Sequence, residues 1–265
     1  MSDYENICME VCKIAAETGR FISNESGKFE AEDIKSKGIH DYVTYVDIES
    51  EKMLTAALGA LLPDAVFITE EETISQEKGE LCWIIDPLDG TTNFMHGLAP
   101  YSISIALAGG DKILVGVVHN IATRETFYAW HKGGAWLDGE AIKVSLTTRI
   151  EDSLIATGFP YKDFNSLGKY LTAFEYFIRN THGVRRMGSA AIDLAWVACG
   201  KFDAFFEYNL NKWDVSAGIL LIREAGGIAS DFSGNQVCID GSEIVAANNL
   251  IFEEFRAKVN TFMAK

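Results

Sequence analysis

Trp83-Ile84-Ile85-Asp86-Pro87-Leu88-Asp89-Gly90-Thr91-Thr92-Asn93-Phe94 decides how this chain is read. The apolar run Leu81 to Ile85 predicts a buried strand, and it leads directly into two aspartates three residues apart. Pro87 stiffens the backbone between them, and Gly90 frees it just after. Carboxylate oxygens, hydroxyls and backbone N–H groups thus meet at one strand end. A Mg²⁺-assisted phosphate site needs that combination. Asp-Pro-x-Asp-Gly also reads as a plain turn, so the stretch must be weighed with the rest of the chain.

Upstream, residues 4–23 carry Ile7, Val11, Ile14, Ala15 and Ile22 near helical spacing and predict an amphipathic helix. Residues 24–40 are charged, contain Gly27 and Gly38, and read as a loop or a ragged hairpin. Asp47 to Leu62 is helical, with Pro63 as its stop. Val66-Phe67-Ile68 is a short strand that runs into Glu70-Glu71-Glu72.

Downstream, Tyr101 to Val144 reads as an antiparallel meander. Ser102 to Leu107 alternates at period two, Ile113 to His119 and Thr126 to Trp130 follow, and Gly109-Gly110, Gly133-Gly134 and Asp138-Gly139 mark turns. Beyond Ser145 strands and helices alternate: strands at 153–157, 202–206 and 244–247, helices at 166–180, 189–199, 214–225 and 250–263. No Pro/Gly/Ser-rich linker, internal repeat or low-complexity tract appears. The pattern fits two closely packed subdomains, 1–145 and 146–265.

The chain has 265 residues, almost half of them apolar, enough for a sizeable core. Its formal charge is −15, which disfavours nucleic acid or an anionic membrane as a partner. An anionic small substrate is still compatible, because bound cations can attract it locally. The five cysteines, Cys8, Cys12, Cys82, Cys199 and Cys238, are odd in number and lack paired metal-ligand spacing. They read as thiols in a reducing compartment. No apolar run approaches the roughly 20 residues of a membrane span, and the acidic N-terminus has no signal core. The expectation is a cytoplasmic protein.

The acids that follow apolar runs are Glu70, Asp86 and Asp89, and Asp214 follows Trp213 at a helix start. All are hard-oxygen donors that suit Mg²⁺ better than softer metals. The carbonyl of Leu88 stands between the two aspartates. Each has a plainer reading: a solvated run for Glu70-Glu71-Glu72, an N-cap for Asp214. His96 and the tryptophans Trp130, Trp136 and Trp196 read more readily as surface or core residues than as ligands, while Arg185-Arg186 reads equally as a contact to a substrate phosphate or a dimer partner and as a surface ion pair.

Three stretches together resemble the inositol monophosphatase family of Mg²⁺-dependent, lithium-sensitive phosphomonoesterases. They are Val43-Thr44-x-x-Asp47, Trp83 through Phe94, and Trp213-Asp214-Val215-Ser216-Ala217-Gly218 followed by Glu224-Ala225-Gly226-Gly227. Phe67-Ile68-Thr69-Glu70-Glu71 is a fourth. The resemblance implies an α+β or α/β fold, a layered αβαβα sandwich with an antiparallel sheet in the N-terminal half and a mostly parallel one in the C-terminal half. It implies two to three Mg²⁺ per subunit and a homodimer. Carried over by residue, Asp86 bridges two metals, Glu70 and the Leu88 carbonyl complete one site, and Asp89 and Asp214 complete the other. Gly90 and Thr91 cradle the phosphate. Thr91, with Asp47 behind it and Thr44 alongside, activates water. Asp89, Ala190 and Glu207 meet the polyol. The chain departs from the family at Thr69, where relatives commonly have glycine, and at Lys35 and Lys37, which flank the position of a family lysine.

The function this implies is hydrolysis of inositol monophosphate and related polyol or sugar phosphates. Alternatives are fructose 1,6-bisphosphate, 3′-phosphoadenosine 5′-phosphate or NADP⁺ as substrate. Thr92-Asn93 stands where the nucleotide branch more often has Lys-Glu, which favours the inositol branch. A different class of reading is a regulatory binding protein that keeps the fold.

Overall fold

The computed structural model describes residues 3–28, 35–38, 41–74, 79–160, 164–235 and 242–264. Cys238 and the side chains of Lys35 and Lys37 lie outside the described residues. Helix α1 (Asp3–Glu25) is followed by a small antiparallel hairpin, β1 (Lys35–Gly38) and β2 (Asp41–Val43). Helix α2 (Tyr45–Leu61) starts at a capping box. The Thr44 hydroxyl accepts from the Val46 N–H, and Asp47 accepts from the Thr44 N–H.

A seven-stranded sheet comes next, with spatial order equal to chain order. Its strands are β3 (Val66–Thr69), β4 (Leu81–Asp89), β5 (Ser102–Gly109), β6 (Lys112–Asn120), β7 (Thr126–Trp130), β8 (Ala135–Leu137) and β9 (Glu140–Ile142). Only the β3–β4 pairing is parallel. The period-two pattern separates two cores. Trp83, Ile85, Ile103, Ile105, Val115 and Val117 face α1 and α2. Ile84, Ala106 and Val118 face the opposite way, toward the middle of the molecule.

That middle layer is α5 (Ala190–Ala198) and α6 (Lys212–Glu224), packed on both sheets. The second sheet has order β11-β10-β12-β14-β13: β10 (Leu154–Thr157), β11 (Gly183–Arg185), β12 (Ala204–Tyr208), β13 (Gly227–Ser230) and β14 (Glu243–Asn248). Four of its strands run the same way and β14 runs against them. Helices α4 (Leu167–Asn180) and α7 (Phe252–Met263) cover the outer face around Phe177, Phe206 and Phe255. The order of layers is therefore αβαβα. Among the described residues no helix is long and apolar enough to cross a membrane.

Three local expectations need correction. Strand β4 does not end at Ile85 but continues through Asp86 and Pro87 to Asp89. A bulge lets it do so: Asp86 pairs with Ser104 and Asp89 with Ser102, so the β4 side holds one residue more than β5. Asp214 is not an N-cap. Asn211 holds that place, and Asp214, three residues on, accepts from the Asn211 N–H at 2.6 Å. Short α3 (Thr91–Met95), β11 and β13 carry too little periodicity to be read from sequence.

Candidate active site

The bulge turns Asp86, Leu88 and Asp89 into a cavity of about 160 Å³. The cavity wall also holds Glu70 from the end of β3, Gly90 and Thr91 at the start of α3, Ala190 on α5, Glu207 on β12 and Asp214 on α6. Residues from both sheets and from the middle helices therefore share one site. Thr44 and Asp47 lie behind the wall. The Asp47 Oδ1 accepts from the Thr91 hydroxyl at 3.1 Å, and its Oδ2 accepts from the Thr44 hydroxyl and N–H at 2.5 and 2.8 Å.

Local geometry explains how the pieces are held. Gly90 has φ +94°, and a Cβ there would come within 3.1 Å of the Gly188 carbonyl and 3.2 Å of the Pro100 carbonyl. Only glycine makes the turn from β4 into α3 without strain. Asp89 Oδ2 accepts from the Ser189 hydroxyl at 2.6 Å and the Ala191 N–H at 2.8 Å, which docks the N-terminus of α5 on the carboxylate. Two serines of β5 complete the frame. Ser102, opposite Asp89, shares a hydrogen bond with Ser189 at 3.1 Å. Ser104, opposite Asp86, donates to the Trp213 carbonyl at 2.9 Å and so brings the first turn of α6 beside that aspartate. Sequence reading took Ser102 and Ser104 only as strand residues. Their hydroxyls in an otherwise apolar alternating run were the available signal.

The site is strongly acidic. Six carboxyl groups line it, those of Glu70, Asp86, Asp89, Asp193, Glu207 and Asp214, against one guanidinium, that of Arg186. Burial, then the charges of Glu70, Asp89 and Asp214, push the Asp86 carboxyl well above the usual range. Burial takes Asp89 up to about 6 against the opposing bonds from Ser189 and Ala191. Burial and neighbouring carboxylates likewise raise Asp193 and Glu207. Burial raises Asp47 too, while its bonds from Thr44 and Thr91 act to lower it.

Such a wall repels a phosphate ester unless cations intervene. Its donors are hard oxygens, with no histidine or cysteine among them, and that chemistry fits Mg²⁺. Among the described residues no three of the acids already stand as a closed coordination shell, so the fit is one of donor type and shared location.

Asp193, Arg186 and Ser189 line the cavity beyond the residues assigned to it from sequence. Asp193 follows Ala190 by three residues on α5, and helical spacing was the clue. Arg186 reaches the wall while Arg185 is exposed, and His96 is exposed as expected. Trp130 stacks on Trp136 at 6.0 Å, and Trp196 packs on Phe202 at 5.6 Å.

Comparison with known proteins finds relatives over nearly the whole chain. Residues 3–263 match the profile of the inositol monophosphatase family. The chain is 38% identical to an inositol-1-monophosphatase of Mesorhizobium japonicum, over 89% of this chain and 90% of that one. It is also 38% identical to the Nus factor SuhB of Pseudomonas aeruginosa, over 91% of each. The crystal structure of the extragenic suppressor protein SuhB of Bartonella henselae superposes with a TM-score of 0.89 at 35% identity, covering 96% of this chain and 98% of that one. A profile match over nearly every residue, on a shared fold, places this chain in the inositol monophosphatase family.

Proposed function

We propose that this chain is a Mg²⁺-dependent, lithium-sensitive phosphomonoesterase that hydrolyses inositol monophosphate and related polyol or sugar phosphates by direct attack of water. The observation that carries the reading is the ring of six carboxyl groups around a cavity that opens on the start of α3. Glu70, Asp86 and the Leu88 carbonyl would hold one cation, and Asp86, Asp89 and Asp214 a second. A third, weaker one would sit near Glu70. Bound there, the cations would supply charge neutralisation for the phosphoryl group and a lowered pKa for the attacking water.

The protein's own groups do the rest. The N–H groups of Gly90 and Thr91 belong to the first turn of α3, where backbone donors lack partners within the helix and face an anion favourably. The Thr91 hydroxyl has two acceptors within reach on the protein side, Asp47 Oδ1 and the Leu88 carbonyl at 3.0 Å. Its proton is directed there, so its oxygen lone pairs are left to accept from a water in the cavity. As that water gives a proton to the Thr91 oxygen, the Thr91 hydroxyl proton would pass to Asp47 Oδ1, which acts as the base while Thr44 fixes the carboxylate. Asp89, Ala190 and Glu207 meet the hydroxyls of the alcohol. Subdomains 1–145 and 146–265 meet at this cavity in the same reading, in a cytoplasmic homodimer. The free thiols of Cys8, Cys12, Cys82 and Cys199 support a reducing compartment.

A second reading comes from the relative called a Nus factor: a regulatory protein that keeps the fold. The net charge of −15 argues against direct RNA contact in that role. A phosphate-release panel with Mg²⁺ separates the readings. It compares inositol 1-phosphate, fructose 1,6-bisphosphate, 3′-phosphoadenosine 5′-phosphate and NADP⁺ by kcat/KM, with and without Li⁺. Run in ¹⁸O-labelled water for a single turnover, it should give labelled phosphate. No release from any ester would sink the enzymatic reading, and unlabelled phosphate would sink direct attack.

A further inference from the structure

Glu51 stands on α2 one turn beyond Asp47 and is fully buried. Its carboxylate takes hydrogen bonds from one short segment. Oε1 accepts from the Thr69 hydroxyl at 2.9 Å and from the Thr73 N–H and hydroxyl, both at 2.7 Å. Oε2 accepts from the Glu71 N–H at 2.7 Å. Between the two N–H donors, Glu72 adopts φ +50°. That left-handed turn is uncommon for a residue with a side chain, and it lets flanking N–H groups converge on one anion. The segment held in this way contains Glu70. The Glu70 N–H donates to the Ile85 carbonyl at 3.3 Å, so its backbone is fixed to β4 on one side and through its neighbours to Glu51 on the other.

We propose that Glu51 is a positioning residue. It clamps residues 69–73 so that the Glu70 carboxyl is presented to the cavity, and it thereby sets the affinity of the cation site that Glu70 serves. This rests on the metal-dependent reading above. The clamp also gives Thr69 a purpose. Its hydroxyl supplies a donor that an apolar residue there would lack, and its side chain is fully buried against Glu51. Helix α2 then governs the site twice from one face, through Asp47 to Thr91 and through Glu51 to Glu70. The plainer alternative is that Glu51 only anchors a loop and contributes to stability.

Mn²⁺ binding to the folded, metal-free chain, followed by calorimetry well below the melting temperature, distinguishes the two. In Glu51→Gln the amide oxygen can keep the threonine donors, but an amide N–H then opposes the Glu71 N–H. The expected result is an unchanged number of sites with one Kd weakened about tenfold or more, within the range for residues that support a metal ligand. Excess Mg²⁺ should restore kcat with the KM for inositol 1-phosphate unchanged. Thr69→Val, nearly isosteric, removes one donor and should weaken the same site about threefold. A lower melting temperature with Mn²⁺ affinity unaltered overturns the clamp and leaves a loop anchor. If Glu51→Gln does not fold, Thr69→Val decides, and an unaltered Kd there overturns the proposal. Failure of the unmutated chain to bind Mn²⁺ would instead remove the metal-dependent reading itself, and the clamp with it.

Discussion

Gly158 offers the sharpest test of the proposal that Glu207 meets the hydroxyls of an alcohol. A Cβ placed on it would lie 2.0 Å from Cδ, Oε1 and Oε2 of Glu207. Ordinary contact begins near 3.4 Å, so Gly158→Ala requires the carboxyl to retreat by about 1.4 Å. Glu207 is only 4% exposed, so the space left for its carboxyl is the cavity it lines, where the displaced group would stand in the way of a substrate. Overpacking of this kind costs about 1–3 kcal/mol, or about 2–4 °C in Tm per kcal/mol for a chain of this size. A shift beyond 1 Å in a substrate-positioning group costs about a hundredfold in rate. The variant should therefore melt several degrees lower and lose about a hundredfold in kcat/KM for inositol 1-phosphate. With p-nitrophenyl phosphate, which has no polyol hydroxyls, the loss should be tenfold or less. Gly168→Ala is the control, because nothing lies within 4 Å of a Cβ there. Equal losses on both esters would refute the role given to Glu207, and an unchanged Tm would refute the packing argument.

Asp89→Asn keeps an oxygen to accept from Ser189 and Ala191 but removes the charge. Turnover should fall by about a hundredfold or more while metal-free Tm at pH 7.5 holds or rises, since burial makes that charge unfavourable above about pH 6; near-normal kcat at saturating Mg²⁺ would contradict the ligand role. Ser104→Ala removes the donor to the Trp213 carbonyl. It should cost about 1 kcal/mol of stability and lower kcat more than it changes KM, measured by chemical denaturation and steady-state kinetics. Buried His119, beside Thr126 at 2.9 Å, has its pKa lowered by burial to about 4. Because the folded value lies below the unfolded 6.5, its contribution is complete above pH 6.5 and is lost as pH falls toward 4. Between pH 7.5 and 5 this amounts to about 2 kcal/mol, read as the slope difference between wild type and His119→Gln; parallel slopes would refute it.

The long periodic elements were legible because each buries one continuous face. The strands of β5 to β7 and helices α1, α2 and α4 lie within two or three residues of their expected bounds. The bulge in β4 was not legible, because Asp-Pro-x-Asp-Gly is equally consistent with a turn and only pairing with β5 decides it. The same holds for the docking of α5 on Asp89 and of α6 on Ser104, contacts made across about a hundred residues of chain. Glu51 was passed over as an ordinary charged helix residue. Its burial arises only when residues 69–73 fold back over it.

The cap and ligand readings of these acids turn out not to compete. Thr44-x-x-Asp47 and Asn211-x-x-Asp214 are the same signature at the starts of α2 and α6, and in both the acid three residues on takes the N–H of the capping residue. Asp89 does the equivalent for α5 through the Ala191 N–H, and Asp86 Oδ1 accepts from the Leu88 N–H at 2.9 Å. Each acid thus commits one oxygen to backbone. A carboxylate tethered in this way cannot rotate freely, and helix N-termini and a bulge fix its direction before any ligand arrives. Groups that must be close together despite mutual repulsion need such fixed supports, because flexible side chains would simply turn away from one another. The local signals that make each acid look like a mere cap or turn are thus the means by which the fold holds several carboxyl groups in and behind one cavity wall.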